Sequence, residues 1–466
     1  MLRLHDTATG EARPLTVGSD KTVGMYVCGP TVYGLPHIGH GRATLVYDVL
    51  RRYLEWTGTA VHHVSNVTDV DDKIIQRAAE QSRPWREVAE QYEAEWWEAM
   101  DAMGVARPQD APHATDYIDR MVELIAAISV AGAAYETADG VYFSAASVPG
   151  YGLLAHQSID SLRAGARVEV NEDKRAPVDF ALWKRAKPGE PTWPSPWGDG
   201  RPGWHTECVA MSLGILGDGF ALHGGGEDLK FPHHENERAQ AIALGRDFAR
   251  HWMHHGMVLL GEEKMSKSLG NVVDLGELLR SEDPRAYRLV ALQAHYREQV
   301  KVDMTRIVEA ARTLKGLDAL ARRLDEAARE LDEGAREADG AAREAVGAAV
   351  RAEVLGIFRS HMDDDLGSPR AVAGLFDAVK RANAALDRRE AAAGLGLGRA
   401  ALEGFGALGL RASGAVEVAE SALELARLRD AARAERDFDK ADRLRAEIVA
   451  LGYRVEDTPS GTRVLR

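Results

Sequence analysis

A chain of 466 residues, 45% hydrophobic and 28% charged, carries apolar material for roughly two to four globular domains. Its 72 acidic against 58 basic residues, a formal net charge of -14, exclude a uniformly basic surface but not a local basic patch. The polar opening MLRLHDTATGEARP does not read as a secretory signal, no run reaches the ~18 apolar residues of a membrane span, and two cysteines cannot build a disulfide framework; a cytoplasmic protein with reduced thiols and no membrane contact is expected.

In chain order, TVGMYVCG alternates as a buried strand and PTVYGLPHIGHGRA is a Gly- and Pro-rich turn. TLVYDVLRRYLEW then places Leu45, Val46, Val49, Leu50, Tyr53 and Leu54 on one helical face. AVHHVSNVT is a second strand, and DVDDKIIQRAAEQ opens a helix behind acidic first-turn residues. Alternating units of this kind predict an α/β fold with a doubly wound parallel sheet that binds ligands at the carboxyl ends of its strands. Residues 1–120 are expected to form its first half and 121–190 an insertion with short strands in GVYFSAASVPGYGLLAHQ and VDFALWKRA. KPGEPTWPSPWGDGRPGW, with five prolines, reads as a loop. The second half, 191–260, holds a helix carrying Cys208, a short strand at FALHG and a helix starting near Pro232. Residues 261–310 form a loop and contact region, and the Ala-, Arg- and Glu-rich periodicity of 311–400 predicts an α-helical bundle. GLGLGRAALEGFGALGLRASGA reads as a Gly-rich boundary near 395–415. Residues 401–466 are then a small C-terminal α+β domain: a charged helix followed by a hairpin in LGYRVEDTPSGTRVLR.

Three constellations carry chemistry. His233 and Glu237 are four apart and share a face if helical; with the thiols of Cys28 and Cys208 they make four donors suited to tetrahedral zinc. Two buried thiols acting as small hydrophobes explain the same residues, and without a CxxC pair the spacing leaves both readings open. HIGH, His37 to His40, lies between a strand and a helix N-terminus, where unpaired N–H groups attract phosphate and Gly39 and Gly41 allow close approach. KMSKS, Lys264 to Ser268, puts Lys264 and Lys267 in a loop suited to clamping a triphosphate, though a solvated surface loop would look the same. The two motifs in this order, about 220 residues apart, are far more specific than either alone.

Together with MYVCGPTVY, NVTDVDDKI, DFALWK, PGWHTEC, HGGGEDLKFPHHENE, WMHHGMV and MDDDLGSPRA, they make the chain resemble the class I aminoacyl-tRNA synthetases, and within them the cysteinyl-tRNA synthetase family, over essentially its whole length. The resemblance implies a Rossmann-type catalytic domain and one zinc on Cys28, Cys208, His233 and Glu237. It also implies catalytic roles for His37, His40, Lys264 and Lys267, and ATP contacts from Gly39, His40, Gly224, Gly226, Asp228 and Lys267, with Mg²⁺ carried on ATP. Thr31, Thr68 and Trp204 match the cysteine pocket, although Thr68 would also serve as an N-cap and Trp204 as plain core. L-cysteine, ATP and tRNA(Cys) are the implied partners, and a monomer is expected. Gly34 and Leu366-Gly367 depart from the family's commoner residues, away from the expected catalytic side chains. The implied C-terminal role is anticodon binding; from Arg427 to Arg466 ten Lys or Arg face eight Asp or Glu, a local +2 that also suits a helix laced with ion pairs. Two rivals remain: a zinc-dependent ligase joining cysteine to an amino-sugar inositol, and a tRNA-binding paralogue without catalysis. The long C-terminal region speaks against the first and the intact motifs against the second.

Overall fold

The computed structural model describes residues 1–158, 161, 174–260, 263–264, 273–333, 340–413, 420–434, 437–451, 453–458 and 461–465. At its centre lies a four-stranded sheet in the order Trp252–His255, Leu222–Gly226, Thr22–Val27, Ala60–Ser65, every pair parallel. The long helix Ile38–Trp56 makes the crossover between the two strands at 22–27 and 60–65, burying the face that the sequence pattern marks, Leu45 to Leu54. The chain reverses strand order at Thr22–Val27, so the carboxyl ends of this strand and of Leu222–Gly226 open a crevice. The helix Asp72–Gln81 follows the second strand, with Asp71 as its N-cap.

The insertion is a separate antiparallel sheet in the order Ala134–Glu136, Gly140–Phe143, Phe180–Arg185, Gly200–Pro202. Its last strand comes from the end of the proline-rich stretch: Pro202 is an edge residue, where a missing N–H costs no ladder bond. The insertion therefore extends past residue 190. An N-terminal hairpin, Arg3–Asp6 with Glu11–Pro14, and the helices Trp85–Ala102 and Ile118–Val130 complete the catalytic half. The hairpin strands are too short to show a period; they are held by tertiary bonds, Asp6 accepting from Arg13 and from the Trp252 backbone.

Four helices, Met304–Glu333, Gly340–Asp363, Ser368–Asp387 and Ala391–Ala407, form the bundle. Here the expected boundary near 395–415 is corrected. The glycine-rich stretch is the most enclosed helix of the bundle and runs straight across the division expected at 400/401. A Cβ on Gly396 would lie 2.6 Å from the Gly347 carbonyl oxygen, and one on Gly404 2.5 Å from Leu375 Cδ2. The glycines permit close helix approach instead of breaking the helix. The C-terminal unit, helices Glu420–Ala434 and Phe438–Ala450 with the hairpin Arg454–Thr458/Gly461–Leu465, packs its own small core of Ala422, Ala426, Ile448 and Val464. Among the described residues no helix is long and apolar enough to cross a membrane.

Candidate active site

Cys28 directly follows the strand Thr22–Val27, Cys208 lies in the helix Trp204–Ile215, and His233 and Glu237 flank the start of the helix Glu235–Ala243. Phe231 takes extended backbone angles, so the regular helix begins three residues later than the expected Pro232; His233 nonetheless stays one turn from Glu237. The four side chains converge. Cys28 Sγ lies 3.7 Å from Cys208 Sγ and 3.6 Å from Glu237 Oε1, Cys208 Sγ 3.7 Å from His233 Nε2, and His233 Nε2 3.0 Å from Glu237 Oε1. Sulfur, nitrogen and oxygen ligands on a tetrahedral zinc sit roughly 3.3–3.8 Å apart. The three separations that involve sulfur fall in that range and the His233–Glu237 pair is a few tenths of an ångström closer, so the donor set fits that ion with a small spreading of this pair. Burial pushes both thiols up and His233 well down. The neutral imidazole is already the ligating form, whereas the thiols need a cation to become thiolates.

Beside the cluster opens a cavity of about 400 Å³ at the carboxyl ends of the strands. Thr31, His37, Gly39, His40, Gly226 and Asp228 line it. His37 is the N-cap of the long helix: its Nδ1 accepts the His40 N–H while His40 Nδ1 accepts the His37 N–H, and the rings stack 3.6 Å apart. A neutral ring accepting at Nδ1 carries its proton on Nε2, so this reciprocal cap fixes both tautomers. Gly224 does not line the cavity; it packs under Tyr47, whose ring a Cβ would strike and whose hydroxyl donates to the Gly225 and Met253 carbonyls. Lys267 lies outside the described residues, and of Lys264 the backbone alone is described, paired with Leu259.

Known proteins match this chain along its length. Residues 14–312 match the model of the tRNA synthetases class I (C) catalytic domain, and 357–410 that of the DALR domain. The cysteine–tRNA ligase of Halorhodospira halophila is 42% identical, covering 99% of each chain. That of Thermus thermophilus is 44% identical, covering 99% of this chain and 98% of the relative.

The chain belongs to the cysteine–tRNA ligase family.

Its fold is that of the class I synthetases: Mycobacterium tuberculosis methionyl-tRNA synthetase, in complex with methionyl-adenylate, superposes with a TM-score of 0.60 at 19% identity, over 83% of this chain and 89% of that one. In this family member Thr31 and Thr68 pair through their backbones in an isolated bridge beyond the ends of the strands Thr22–Val27 and Ala60–Ser65. Thr68 is buried and donates to Glu207 (2.7 Å) rather than capping a helix. Trp204 is 37% exposed and stacks on His233 with centroids 3.9 Å apart, which is not a core position. Neither Thr68 nor Trp204 lines the cavity.

Several functional candidates were not legible from sequence spacing. His223 Nε2 meets the second Glu237 oxygen at 2.8 Å, and His205 Nδ1 meets His233 Nδ1 at 2.8 Å. His234 contacts Cys28 at 3.3 Å through Nε2 and His254 at 2.8 Å through Nδ1. These rings orient the presumed ligands, and metal affinity depends on such support. Cys28, His223, His234 and Glu237 also fall close enough to hold an ion, but that set lacks the second thiol. Asn66 accepts the Gly29 N–H and donates to Thr68, tying the first strand's end to Glu207. The one available signal was that His205, Glu207, His223 and His234 all fall inside the two segments that carry Cys208 and Glu237.

Proposed function

We propose that the chain activates L-cysteine with ATP and transfers the cysteinyl group to tRNA(Cys), with zinc on Cys28, Cys208, His233 and Glu237 selecting the substrate. The observation that carries this reading is a four-donor cluster of tetrahedral dimensions opening beside a cavity lined by His37, Gly39 and His40. Bound zinc would supply a borderline-soft Lewis acid that prefers sulfur over hydroxyl or methyl, the discrimination a purely steric pocket makes poorly. Trp204, stacked on His233, would wall the side-chain pocket, and Thr31 and Thr68 would position the backbone of the amino acid.

In the first step the cysteine carboxylate attacks the α-phosphorus of ATP, giving cysteinyl adenylate and pyrophosphate. In the second a hydroxyl of the terminal tRNA ribose attacks the carbonyl and AMP leaves. Such chemistry is positioning and charge stabilisation, with Mg²⁺ carried on the nucleotide. The Nε2–H groups of His37 and His40, oriented by their reciprocal cap, are assigned to phosphoryl oxygens as charge develops, and Lys264 and Lys267 to the triphosphate. Asp228, at the cavity wall, is assigned to a ribose hydroxyl, with Gly226 allowing the nucleotide to approach. ATP–pyrophosphate exchange with cysteine, serine and alanine, followed by charging of a tRNA(Cys) transcript, tests the reading. Exchange with cysteine alone and efficient charging is the expected result; exchange with serine at a comparable rate would sink it.

A further inference from the structure

Among the described residues that line the cavity, Lys73 and Arg107 are the two with a permanent positive charge, and Asp228 is the one acid. Arg107 is committed: it forks onto Asp101 at 2.9 and 2.6 Å and covers the Trp97 ring. Lys73 is not. It stands in the first turn of the helix Asp72–Gln81, exposed, with its ammonium 5.2 Å from the centroid of the Tyr33 ring. The acids beside it in sequence are taken, since Asp71 accepts the Lys73 backbone N–H and Asp72 pairs with Lys184 and Arg201. Among the described residues no carboxylate pairs with the Lys73 ammonium. An exposed lysine on a surface needs no explanation, but this one is set over an aromatic ring at the rim of a substrate cavity with its charge unspent.

Its place along the sheet separates it from the nucleotide. The helix Asp72–Gln81 follows Ala60–Ser65, the outermost strand on one side, whereas Lys264 lies beyond Trp252–His255, the outermost on the other. Neighbouring strands lie about 4.8 Å apart, so these two edges are on the order of 14 Å apart. The pairs from Asp72 to Lys184 and Arg201 instead tie the Lys73 turn to the insertion sheet. We propose that Lys73 binds a backbone phosphate at the 3′ end of the tRNA and takes no part in binding ATP. This rests on the two-step reading above, in which the terminal ribose hydroxyl must reach the adenylate carbonyl and so brings the last phosphodiester to the cavity rim. Lysine supplies a mobile point charge there, which positions a flexible nucleic-acid end without reading its sequence.

Lys73→Met, which keeps the apolar stem and removes the charge, tests the assignment in the full chain. ATP–pyrophosphate exchange is expected to keep its wild-type kcat and its KM for cysteine and for ATP. Charging of a tRNA(Cys) transcript is expected to fall about tenfold in kcat/KM, mainly through the tRNA KM. The plot of log kcat/KM for tRNA against log salt concentration should become shallower by about 0.7, the share of one single-strand phosphate contact. Lys73→Arg, which keeps the charge, is expected to restore most of the loss, and the melting temperature of both variants to match wild type, because the side chain is exposed. A parallel fall in exchange would assign the cation to ATP, undiminished charging would remove the contact, and lost charging with an unchanged salt slope would make the role structural; each overturns the proposal. Exchange and charging by the wild type test the underlying reading separately, and no charging by the wild type would overturn both.

Discussion

Cys208 is 1% exposed, and its sulfur is within 3.7 Å of both Cys28 and His233. A hydroxyl there is a harder and far less acidic donor, so Cys208→Ser is expected to lose both tightly bound zinc and cysteine activation, while serine is discriminated less well. Metal analysis beside exchange kinetics checks this, and a zinc-free variant with wild-type kinetics would remove the metal from the mechanism. His223 is a subtler case. It touches no presumed substrate atom but holds the second oxygen of Glu237. His223→Leu is expected to weaken zinc by roughly 10- to 100-fold, the usual cost of losing an outer hydrogen bond to a ligand, while leaving the protein folded. Competition with a zinc chelator measures it directly. The four presumed ligands could be named from the family resemblance; the histidines around them could not, because no spacing rule links positions 205, 223 and 234 until two strands and two helices meet.

At the scale of the helices, glycine divides into two kinds that look alike in sequence. Gly316, inside Met304–Glu333, has open space where a Cβ would stand, whereas Gly396 faces the Gly347 backbone. Gly316→Ala is expected to stabilise by about 0.5–1 kcal/mol, the ordinary helix-propensity gain. Gly396→Ala must push two helices apart and is expected to cost about 1–3 kcal/mol. Thermal melts of the two variants should move in opposite directions; equal shifts would mean that the helix contact at Gly347 is soft. The same distinction explains why GLGLG reads as a boundary: glycine frequency signals a break in isolation, and only the partner helix reveals a packing site.

Across the molecule, a buried ion pair locks the catalytic half to the bundle. Arg288 donates to Asp48 at 2.5 Å and also reaches the Met103, Gly104 and Leu408 carbonyls, while Asp48 accepts from Arg52 and the Ala106 N–H. Asp48→Asn leaves a guanidinium buried without its counter-charge and is expected to cost about 3–5 kcal/mol. Burial alone would raise the Asp48 pKa, but Arg288 and Arg52 outweigh it and hold the carboxyl below its usual value. A depressed carboxylate contributes stability above its unfolded pKa of about 3.9 and loses it as pH falls through the folded value. Denaturation midpoints from pH 6 to pH 3 should therefore fall more steeply in wild type than in Asp48→Asn; parallel curves would contradict the sign. The C-terminal unit has its own core. Arg285 reaches the Arg411 carbonyl and Asp318 accepts the Ser413 N–H, so a clean truncation comes after Ser413. A chain ending there is expected to keep cysteine-dependent exchange and to charge tRNA poorly, mainly through KM; undiminished charging would reduce the tail to a packing element.

Periodicity in the sequence was enough for the parallel sheet, the long first helix and the helical bundle, because each repeats its apolar residues at a spacing that backbone geometry imposes. The two motifs were legible because their residue types have few other uses in that order, whereas the four presumed metal ligands could be named only through the family resemblance, their spacing alone leaving buried thiols as an equal reading. Tertiary structure alone decided which helical glycines pack against a partner helix and which face open space, that a proline-rich stretch ends in an edge strand, and which histidines brace the ligand cluster. Each of these depends on what lies across a gap in space, and local pattern carries no record of the other side.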